Sequence, residues 1–560
     1  MAKITFEQNQ NNDLITLDVE PGTSILEAAR EAGIALESPC NGAGVCGKCR
    51  LYKTQIEPVS ALLIKKCVYT DKNGDEGYVL ACQACITDDI RIALEQKEEK
   101  DLKIVSDGRS FKLEIDSDIR KEYDPDDNRT QVYLGDEKIA VEEGNTEDLR
   151  YGVVIDIGTT TLVAALYDLV TGEELSSESA LNPQALHAQD VLSRIKMASE
   201  PEGLKLLYNG VTEKINELTE VICRKVNVDP AYVYEIVYSG NTCMIHLATN
   251  VNPESMGKYP YTPVIRGGNF ISASDNGTKI APEGRIYLPP IISSYVGPDI
   301  TSGILASQIE KLPGITLFVD IGTNGEMAIG RNGELVVTST AAGPAFEGMN
   351  IEHGMRAAEG AIEFFEISED GRITMKTIGD KAPVGICGSG LLDIVGELVS
   401  CGAIGSNGKF AKPEKQPLPE SVASRLVKMD GKTVFRLSDK VVLTQKDVRQ
   451  VQLAKGAVRS GIEYLLKSLS IEAGEADRVL IAGSFGYHLR SKSLLSIGLL
   501  PAEFEGKIEY IGNTSKTGGQ AFLLNPGYRS EMKDLVQKIK VEELANDENF
   551  EKIFVKALGF

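Results

Sequence analysis

The chain has 560 residues, of which 42% are hydrophobic and 25% charged, as is usual for a globular protein. Its net charge of −22 and its lack of a lysine or arginine cluster exclude nucleic acid as an expected partner. There is no run of 18 apolar residues and no charged-then-apolar leader, so we expect no membrane association and a cytoplasmic location.

Six of the ten cysteines lie within the first 85 residues. In a reducing compartment, clustered cysteines indicate metal binding or catalysis before disulfides. The clustering therefore predicts a metal or catalytic site near the start of the chain.

Residues 1–94 begin with the pattern of a β-grasp domain. Residues 4–6 and 14–19 form two short apolar segments that predict a β-hairpin. Ser24 and Glu27 form a capping-box pattern that predicts a helix through Ala32, with Gly33 placed to end it. A hairpin followed by a short helix is how a β-grasp domain starts.

The cysteines that follow predict an iron–sulfur cluster. Cys40, Cys46 and Cys49 lie in one glycine-rich loop, and Cys82 follows an apolar strand at residues 78–81. Glycines allow the loop to fold tightly and turn backbone N–H groups toward the sulfurs, which stabilises a negatively charged cluster. Cys40, Cys46, Cys49 and Cys82 are therefore the predicted metal ligands.

Structural zinc is the competing interpretation. Cys46 with Cys49 and Cys82 with Cys85 form two Cys-x-x-Cys pairs, as in a zinc ribbon. That interpretation leaves Cys40 and the loop glycines unexplained, so the cluster is favoured. The whole segment resembles the plant-type [2Fe–2S] ferredoxins, with one departure: its first gap has five residues where that family has four.

Residues 95–150 change in character, with 18 acidic and 10 basic residues. We interpret them as an acidic linker carrying a small structured piece, in which residues 111–115 alternate as a single strand would. Such a tether would let the cluster domain move. A merely solvated spacer is the alternative.

Two near-identical motifs dominate residues 151–560. Residues 154–161 read VIDIGTTT and residues 319–326 read VDIGTNGE, with their Asp residues 164 positions apart. Each predicts a buried strand that ends in an Asp and a glycine turn. Glycine permits positive φ and close backbone approach to phosphate, Thr hydroxyls add donors, and Asp holds Mg²⁺ through its waters. Duplicated motifs indicate a two-lobed nucleotide cleft.

A third strand-to-glycine element reads VLIAGSFG at residues 479–486. The three elements together resemble the phosphate-1, phosphate-2 and adenosine motifs of the actin, hexokinase and sugar-kinase superfamily. No Walker-type P-loop occurs in the sequence. The resemblance implies ATP and Mg²⁺ as cofactors. It also implies Asp156 and Asp320 as catalytic residues, and as nucleotide-binding residues Gly158, Thr159, Thr160, Thr161, Gly322, Thr323, Asn324, Gly325, Gly483, Ser484, Phe485 and Gly486.

The fold class predicted is α/β: a β-grasp [2Fe–2S] ferredoxin domain (1–94), an acidic linker (95–150) and a two-lobed actin/hexokinase-like ATPase body (151–560). In this order the blocks, with GICGSG at residues 385–390, resemble the reductive activators of corrinoid proteins. The connector is short for that family, which implies a reduced middle segment. Gly518-Gly519 stands where Gly-Ala is expected.

The resemblance implies a function: ATP-dependent electron transfer from the cluster to the Co(II) corrinoid of a methyltransferase-system protein, restoring Co(I). It also implies a low-potential electron donor and a homodimer. Two alternative functions stay open, an activator of another low-potential enzyme and a small-molecule kinase with a redox regulatory domain. A non-enzymatic scaffold with a structural cluster is a third.

Glu326 and Glu347 are candidates for positioning the hydrolytic water, Cys387 is expected to be a buried thiol, and His246 is expected to be a core residue.

Overall fold

The computed structural model describes residues 1–8, 13–32, 34, 36, 49–64, 69–70, 77–94, 113–412, 414, 417–483, 489–544, 547 and 549–560. The chain divides into two compact units. The first comprises Met1–Lys100 with Pro183–Arg194, and the second comprises Asp101–Asn182 with Ile195–Phe560.

The first unit contains the predicted hairpin and helix. Ser24 caps the helix, and its backbone N–H in turn donates to Glu27, which completes the predicted capping box. Gly33 lies outside the described residues. The elements are β1 (Ala2–Gln8), β2 (Asp13–Val19), α1 (Ile25–Glu31), β3 (Arg50–Tyr52), β4 (Ile56–Glu57), β5 (Leu62–Ile64), β6 (Tyr69–Thr70), β7 (Gly77–Leu80), β8 (Ala84–Ile86) and β9 (Ile90–Leu94). The main sheet has the order β2-β1-β9-β4, with β1 antiparallel to β2 and parallel to β9.

The connector carries more structure than the sequence indicated. It forms a three-stranded antiparallel sheet of β10 (Ile119–Asp124), β11 (Arg129–Leu134) and β12 (Glu137–Glu143). Residues 113–115, the described part of the predicted strand 111–115, are not in a strand. Ile119 and Val132 belong to the same apolar core as Val154 of the ATPase body, so burial of these side chains fixes the sheet to the second unit.

The first lobe of the body is a six-stranded sheet with helices. Its elements are β13 (Tyr151–Ile157), β14 (Thr161–Asp168), β15 (Glu174–Leu181), α2 (Val191–Ala198), α3 (Pro201–Lys225), β16 (Val233–Gly240), α4 (Thr242–Ala248), β17 (Asn269–Ser272), β18 (Arg285–Leu288) and α5 (Pro298–Ser307). Helix α5 begins at Pro298.

The second lobe repeats this plan with an inserted subdomain. Its elements are β19 (Ile315–Ile321), β20 (Gly325–Arg331), β21 (Glu334–Thr340), β22 (Ala361–Ile367), β23 (Ile373–Thr377), β24 (Gly385–Ile386), α6 (Gly388–Ser400), α7 (Glu420–Ala423), β25 (Leu426–Met429), β26 (Lys432–Arg436), β27 (Val442–Thr444), α8 (Gln445–Ser468), β28 (Arg478–Ala482), α9 (Ser491–Ser496), β29 (Ile508–Gly512), α10 (Thr514–Leu524), α11 (Pro526–Val536), β30 (Lys540–Val541) and α12 (Phe550–Ala557).

Five strands of each lobe's sheet share one topology, and the sixth strands, β17 and β30, lie at opposite edges. The first sheet runs β15-β14-β13-β16-β18-β17 and the second β29-β28-β19-β20-β21-β30. In both sheets the strand with the DIGT motif is central. On one side it forms an antiparallel meander with the two strands that follow it in sequence, which are β14 and β15 in the first sheet and β20 and β21 in the second. On its other side lies a parallel strand, β16 in the first sheet and β28 in the second. The sequence duplication therefore corresponds to a structural duplication.

Helices α5 and α10 pack between the two sheets and share a core with both. A Cβ at Gly518 would lie 2.0 Å from the carbonyl oxygen of Ser302, and one at Gly519 would lie 2.4 Å from Val154 Cγ1. The chain has glycine instead of alanine at 519 because α10 contacts β13 too closely for a side chain. Within the described ranges, no helix combines the length and hydrophobicity needed to cross a bilayer.

Candidate functional site

The first phosphate motif forms the turn between β13 and β14. Gly158 N–H donates to the carbonyl oxygen of Thr161 over 3.0 Å. Gly158 does not adopt the positive φ expected of it. Glycine is required for a steric reason instead, because a Cβ at this position would lie 2.6 Å from that same carbonyl oxygen.

The second motif forms the matching turn between β19 and β20. Gly322 N–H donates to the carbonyl oxygen of Asn324 over 3.0 Å, and φ of Gly322 is again not positive. Gly325 lies beneath the turn, where a Cβ would meet Thr340 Oγ1 and Val458 at 2.9 Å. Gly325 therefore supports the turn from the core side.

The two motifs meet through their threonines. Thr160 Oγ1 lies 3.3 Å from Thr323 Oγ1, although 163 residues separate them. Thr159 faces the other way: it is buried, and its Oγ1 accepts a 3.0 Å hydrogen bond from Asn241, the N-cap of α4. Asn241 was not predicted as a site residue, because only its place after a strand marks it in the sequence.

Asp156 is held by the start of α10. Asn513 Nδ2 donates to Asp156 Oδ2 and Ser515 Oγ to Asp156 Oδ1, each over 2.8 Å. Burial raises the pKa of Asp156, while these two hydrogen bonds and the charge of Lys516 act against the rise. Neither Asn513 nor Ser515 was predicted, because only the fold brings residue 513 beside residue 156.

Asp156 is one of four acidic residues whose charges interact in the cleft. Burial, together with the Asp156 carboxylate, raises the pKa of Asp299 to about 7. Burial and the charges of Asp299 and Asp156 raise the pKa of Asp320 to about 8. The pKa of Glu326 rises well above its usual range through burial and the charges of Asp299 and Asp320. Such mutual repulsion without a balancing cation is what a divalent metal ion would relieve.

These carboxylates do not form a ready metal cage. Among the described residues, no three His, Cys, Asp or Glu side chains converge as ligands of one ion. Mg²⁺ is usually held by one or two carboxylates, waters and substrate phosphates, so the arrangement fits Mg²⁺ that arrives with a nucleotide. Asp299 lies in the first turn of α5. It was missed in the sequence because it belongs to neither DIGT motif.

The adenosine motif follows β28, next to the central strand β19. Gly483 has φ of +104°, and a Cβ there would lie 2.8 Å from both Asp320 Oδ1 and the carbonyl oxygen of Ile321. The expected positive φ is therefore found at this glycine. Ser484, Phe485 and Gly486 lie outside the described residues.

Two of the four predicted cluster ligands are described. Cys49 Sγ and Cys82 Sγ lie 3.4 Å apart, far beyond the ~2.05 Å of a disulfide and close to the ~3.8 Å between two thiolates on one tetrahedral metal. Cys85 is buried in β8, where it pairs with Leu63 of β5. Cys40 and Cys46 lie outside the described residues. The four-ligand assignment stays a prediction, and this geometry fits it.

Two further residues have the structural roles expected of them. His246 is fully buried; its Nδ1 bonds the carbonyl oxygen of Thr242, and its Nε2 accepts from the N–H groups of Val264 and Ile265. Cys387 is buried at the start of α6, its thiol donates to the carbonyl oxygen of Ile362, and burial raises its pKa.

Comparison with known proteins gives the class. Residues 8–87 match the 2Fe-2S iron-sulfur cluster binding domain, residues 151–312 the RACo middle region, and residues 314–560 the C-terminal domain of RACo, described as the ASKHA domain. The family's middle region thus corresponds to the first lobe. A [2Fe–2S] domain followed by an ASKHA domain that binds ATP defines an iron–sulfur ATPase.

Relatives that align over most of the chain narrow this class. The corrinoid activation enzyme RamQ of Eubacterium limosum is 31% identical over 562 residues, with 91% of each chain covered. The [Co(II) methylated amine-specific corrinoid protein] reductase of Methanosarcina barkeri is 24% identical over 73% of this chain and 77% of its own. A solved reductive activator for a corrinoid iron–sulfur protein superposes with a TM-score of 0.72, at 30% identity over 100% and 98% of the two chains.

The chain belongs to the family of reductive activators of corrinoid proteins. The predicted fold class and family are therefore confirmed. The predicted site residues and domain boundaries stay predictions.

Proposed function

We propose that this protein uses ATP to pass one electron from its [2Fe–2S] cluster to the Co(II) corrinoid of a methyltransferase-system protein, restoring Co(I). The observation that carries the proposal is the pairing of Cys49 with Cys82 in a chain whose second unit brings two phosphate motifs together at Thr160 and Thr323. The identity of the partner as a corrinoid protein is inferred from the names of the relatives that align over most of the chain.

The nucleotide would lie between the two DIGT turns. Asp156 is fixed by two hydrogen bonds, and Asp320 faces Gly483 of the adenosine motif. These carboxylates would hold Mg²⁺ through its waters, next to Asp299, whose charge raises the pKa of Asp320, and Glu326, whose own pKa is raised by Asp299 and Asp320. Positioning and charge compensation account for most catalysis of phosphoryl transfer, and these residues provide both.

Cys40, Cys46, Cys49 and Cys82 would hold the cluster. The [2Fe–2S] group supplies one-electron storage at roughly −400 mV in plant-type ferredoxins. For a one-electron transfer each ~59 mV uphill costs about 1.4 kcal/mol, so an acceptor of lower potential requires an energy source. ATP binding and hydrolysis would supply it by changing how the protein holds its corrinoid partner.

The proposal is tested with anaerobically purified, pre-reduced protein mixed with a Co(II) corrinoid protein. We expect Co(I) absorption to appear only with ATP and Mg²⁺, and to be lost in Asp320→Asn. Asp439→Asn, which changes an exposed carboxylate of the same unit, is the matched control. Absence of Co(I), or equal Co(I) formation without ATP, would contradict the proposal.

Three parts of the proposal rest on the resemblance or on composition alone. These are a low-potential electron donor, a homodimeric assembly and a cytoplasmic location. Sedimentation of the full chain with and without ATP tests the homodimer.

A further inference from the structure

Glu347 lies in a rigid turn beside the second phosphate motif. The turn is the short helical segment Pro344–Glu347, between Gly343 and Gly348, both with positive φ. Phe346 is buried in the core of the second lobe, and a Cβ at Gly348 would lie 2.5 Å from the carbonyl oxygen of Met355. The backbone therefore fixes the direction of the Glu347 side chain.

A chain of hydroxyl groups ends at this carboxylate. Thr323 Oγ1 donates to Glu347 Oε1 over 2.5 Å and lies 3.3 Å from Thr160 Oγ1. A hydroxyl group can donate only one hydrogen bond. Because the Thr323 hydroxyl donates to the Glu347 carboxylate, it accepts its second hydrogen bond from the Thr160 hydroxyl. Glu347 is thus connected to both phosphate motifs.

The second oxygen of Glu347 has no such partner. Oε2 is buried and makes no hydrogen bond with any of the residues described in the structure. A buried carboxylate oxygen without a donor is costly, and a bound water molecule is the common way to satisfy it. This oxygen lies on a side chain already anchored between the two phosphate turns.

Glu326, the other acidic candidate, is less suited to accept a proton. It is buried among Asp299 and Asp320 and forms part of the charge cluster assigned to Mg²⁺. Glu347 is absent from the groups whose charges raise the pKa values of that cluster. It therefore stays available for a different task.

We propose that Glu347 is a catalytic residue of ATP hydrolysis, whose Oε2 holds the attacking water and accepts its proton. The inference rests on the proposed ATPase function and adds the residue that activates water. The water oxygen bonds to the γ-phosphorus as one water proton passes to Oε2. The bond from phosphorus to the β–γ bridging oxygen breaks, and ADP leaves with the electron pair. Glu347 then returns the proton to the phosphate product or to solvent.

The decisive variant is Glu347→Gln in the full chain with its cluster. Glutamine keeps an oxygen that accepts from Thr323 but cannot take up a proton at neutral pH. We expect kcat for ATP hydrolysis to fall about 10²- to 10⁴-fold, the range of general base catalysis, while the Kd for ATP changes little. The acid limb of the kcat–pH profile should disappear. Glu347→Asp, which retracts the carboxylate by one methylene, should also lose activity.

The control is Glu310→Gln. Glu310 also has a buried, unpartnered Oε2, but it lies in the turn after α5 next to Lys311. Its kcat should equal that of the wild type. If Glu347→Gln keeps wild-type kcat, the carboxylate only holds Thr323 and the inference is wrong, while the proposed ATPase stands. If Kd and kcat deteriorate together in both Glu347 variants, Glu347 binds nucleotide and the inference is again wrong. A wild-type protein without ATP turnover overturns both proposals.

Discussion

Asn513 Nδ2 donates a 2.8 Å hydrogen bond to Asp156 Oδ2, joining the start of α10 to the first phosphate strand across 357 residues. The Oδ1 of the same asparagine caps α10 by accepting from Lys516 N–H over 2.9 Å. One side chain thus begins an interlobe helix and orients a predicted catalytic carboxylate. The predicted nucleotide site at Asp156 is thereby connected to the helices between the lobes.

Asn513→Asp should separate these two roles. Aspartate caps a helix as well as asparagine does. At position 513, however, its carboxylate would face the Asp156 carboxylate in place of the amide group that donates to it. We expect a loss of about 3 kcal/mol in the free energy of unfolding at neutral pH, with partial recovery at acidic pH, measured by urea denaturation. Ser515→Ala should cost less, ~1.5 kcal/mol.

Asn525→Asp is the matched control, since Asn525 caps α11 and donates to a backbone carbonyl instead of a carboxylate. Equal losses at positions 513 and 525 would show that the capping role alone accounts for the effect.

The raised pKa of Asp320 predicts a pH dependence in magnesium-free protein. Unfolded Asp ionises near pH 4, whereas folded Asp320 keeps its proton up to about pH 8. The folded state binds more protons in this window, so the free energy of unfolding falls as pH rises, by up to about 1.4 kcal/mol per pH unit for one group.

Asp320→Asn should reduce this slope to the part that Asp299 contributes, and should become more stable than the wild type toward pH 8. Urea unfolding between pH 5 and pH 8 with a chelator present measures it, and Asp439→Asn should keep the wild-type slope. A slope unchanged in Asp320→Asn would contradict the predicted protonation.

Gly483→Ala tests the approach of the adenosine motif to Asp320. The new Cβ would lie 2.8 Å from Asp320 Oδ1 at a φ of +104°, which costs about 1–3 kcal/mol. Relief of the clash would displace Asp320, and we expect ATP affinity to fall about tenfold, or ~1.4 kcal/mol. Isothermal titration measures the affinity.

Gly474→Ala is the matched control, because a Cβ there meets nothing within 4 Å and φ is not positive. The prediction fails if both alanine variants bind ATP as the wild type does.

Cys82→Ser and Cys85→Ser test the choice of the fourth cluster ligand. Cys82 Sγ lies beside Cys49 Sγ, whereas Cys85 is buried within β8. We therefore expect Cys82→Ser to lose bound iron and visible absorption and Cys85→Ser to keep both. Iron analysis and the visible spectrum of anaerobically purified protein measure this, and the reverse pattern would reassign the ligand.

The sequence by itself determined the order of the domains, the duplicated DIGT strands and the cysteine spacing, because these features depend on local pattern. Buried strands require apolar runs, a capping box pairs Ser or Thr with an acidic residue three positions later, and cluster loops require glycine near cysteine. For the same reason the strand-to-turn positions of Asp156 and Asp320 could be predicted from their motifs.

Only the tertiary structure decided which residues act on those carboxylates. Asn513, Ser515 and Asp299 lie far from Asp156 or Asp320 in the sequence, and no local pattern marks them. The connector sheet was missed because its charged strands bury few apolar side chains, among them Ile119 and Val132. Folding creates these relationships through packing between distant segments, which a linear pattern does not record.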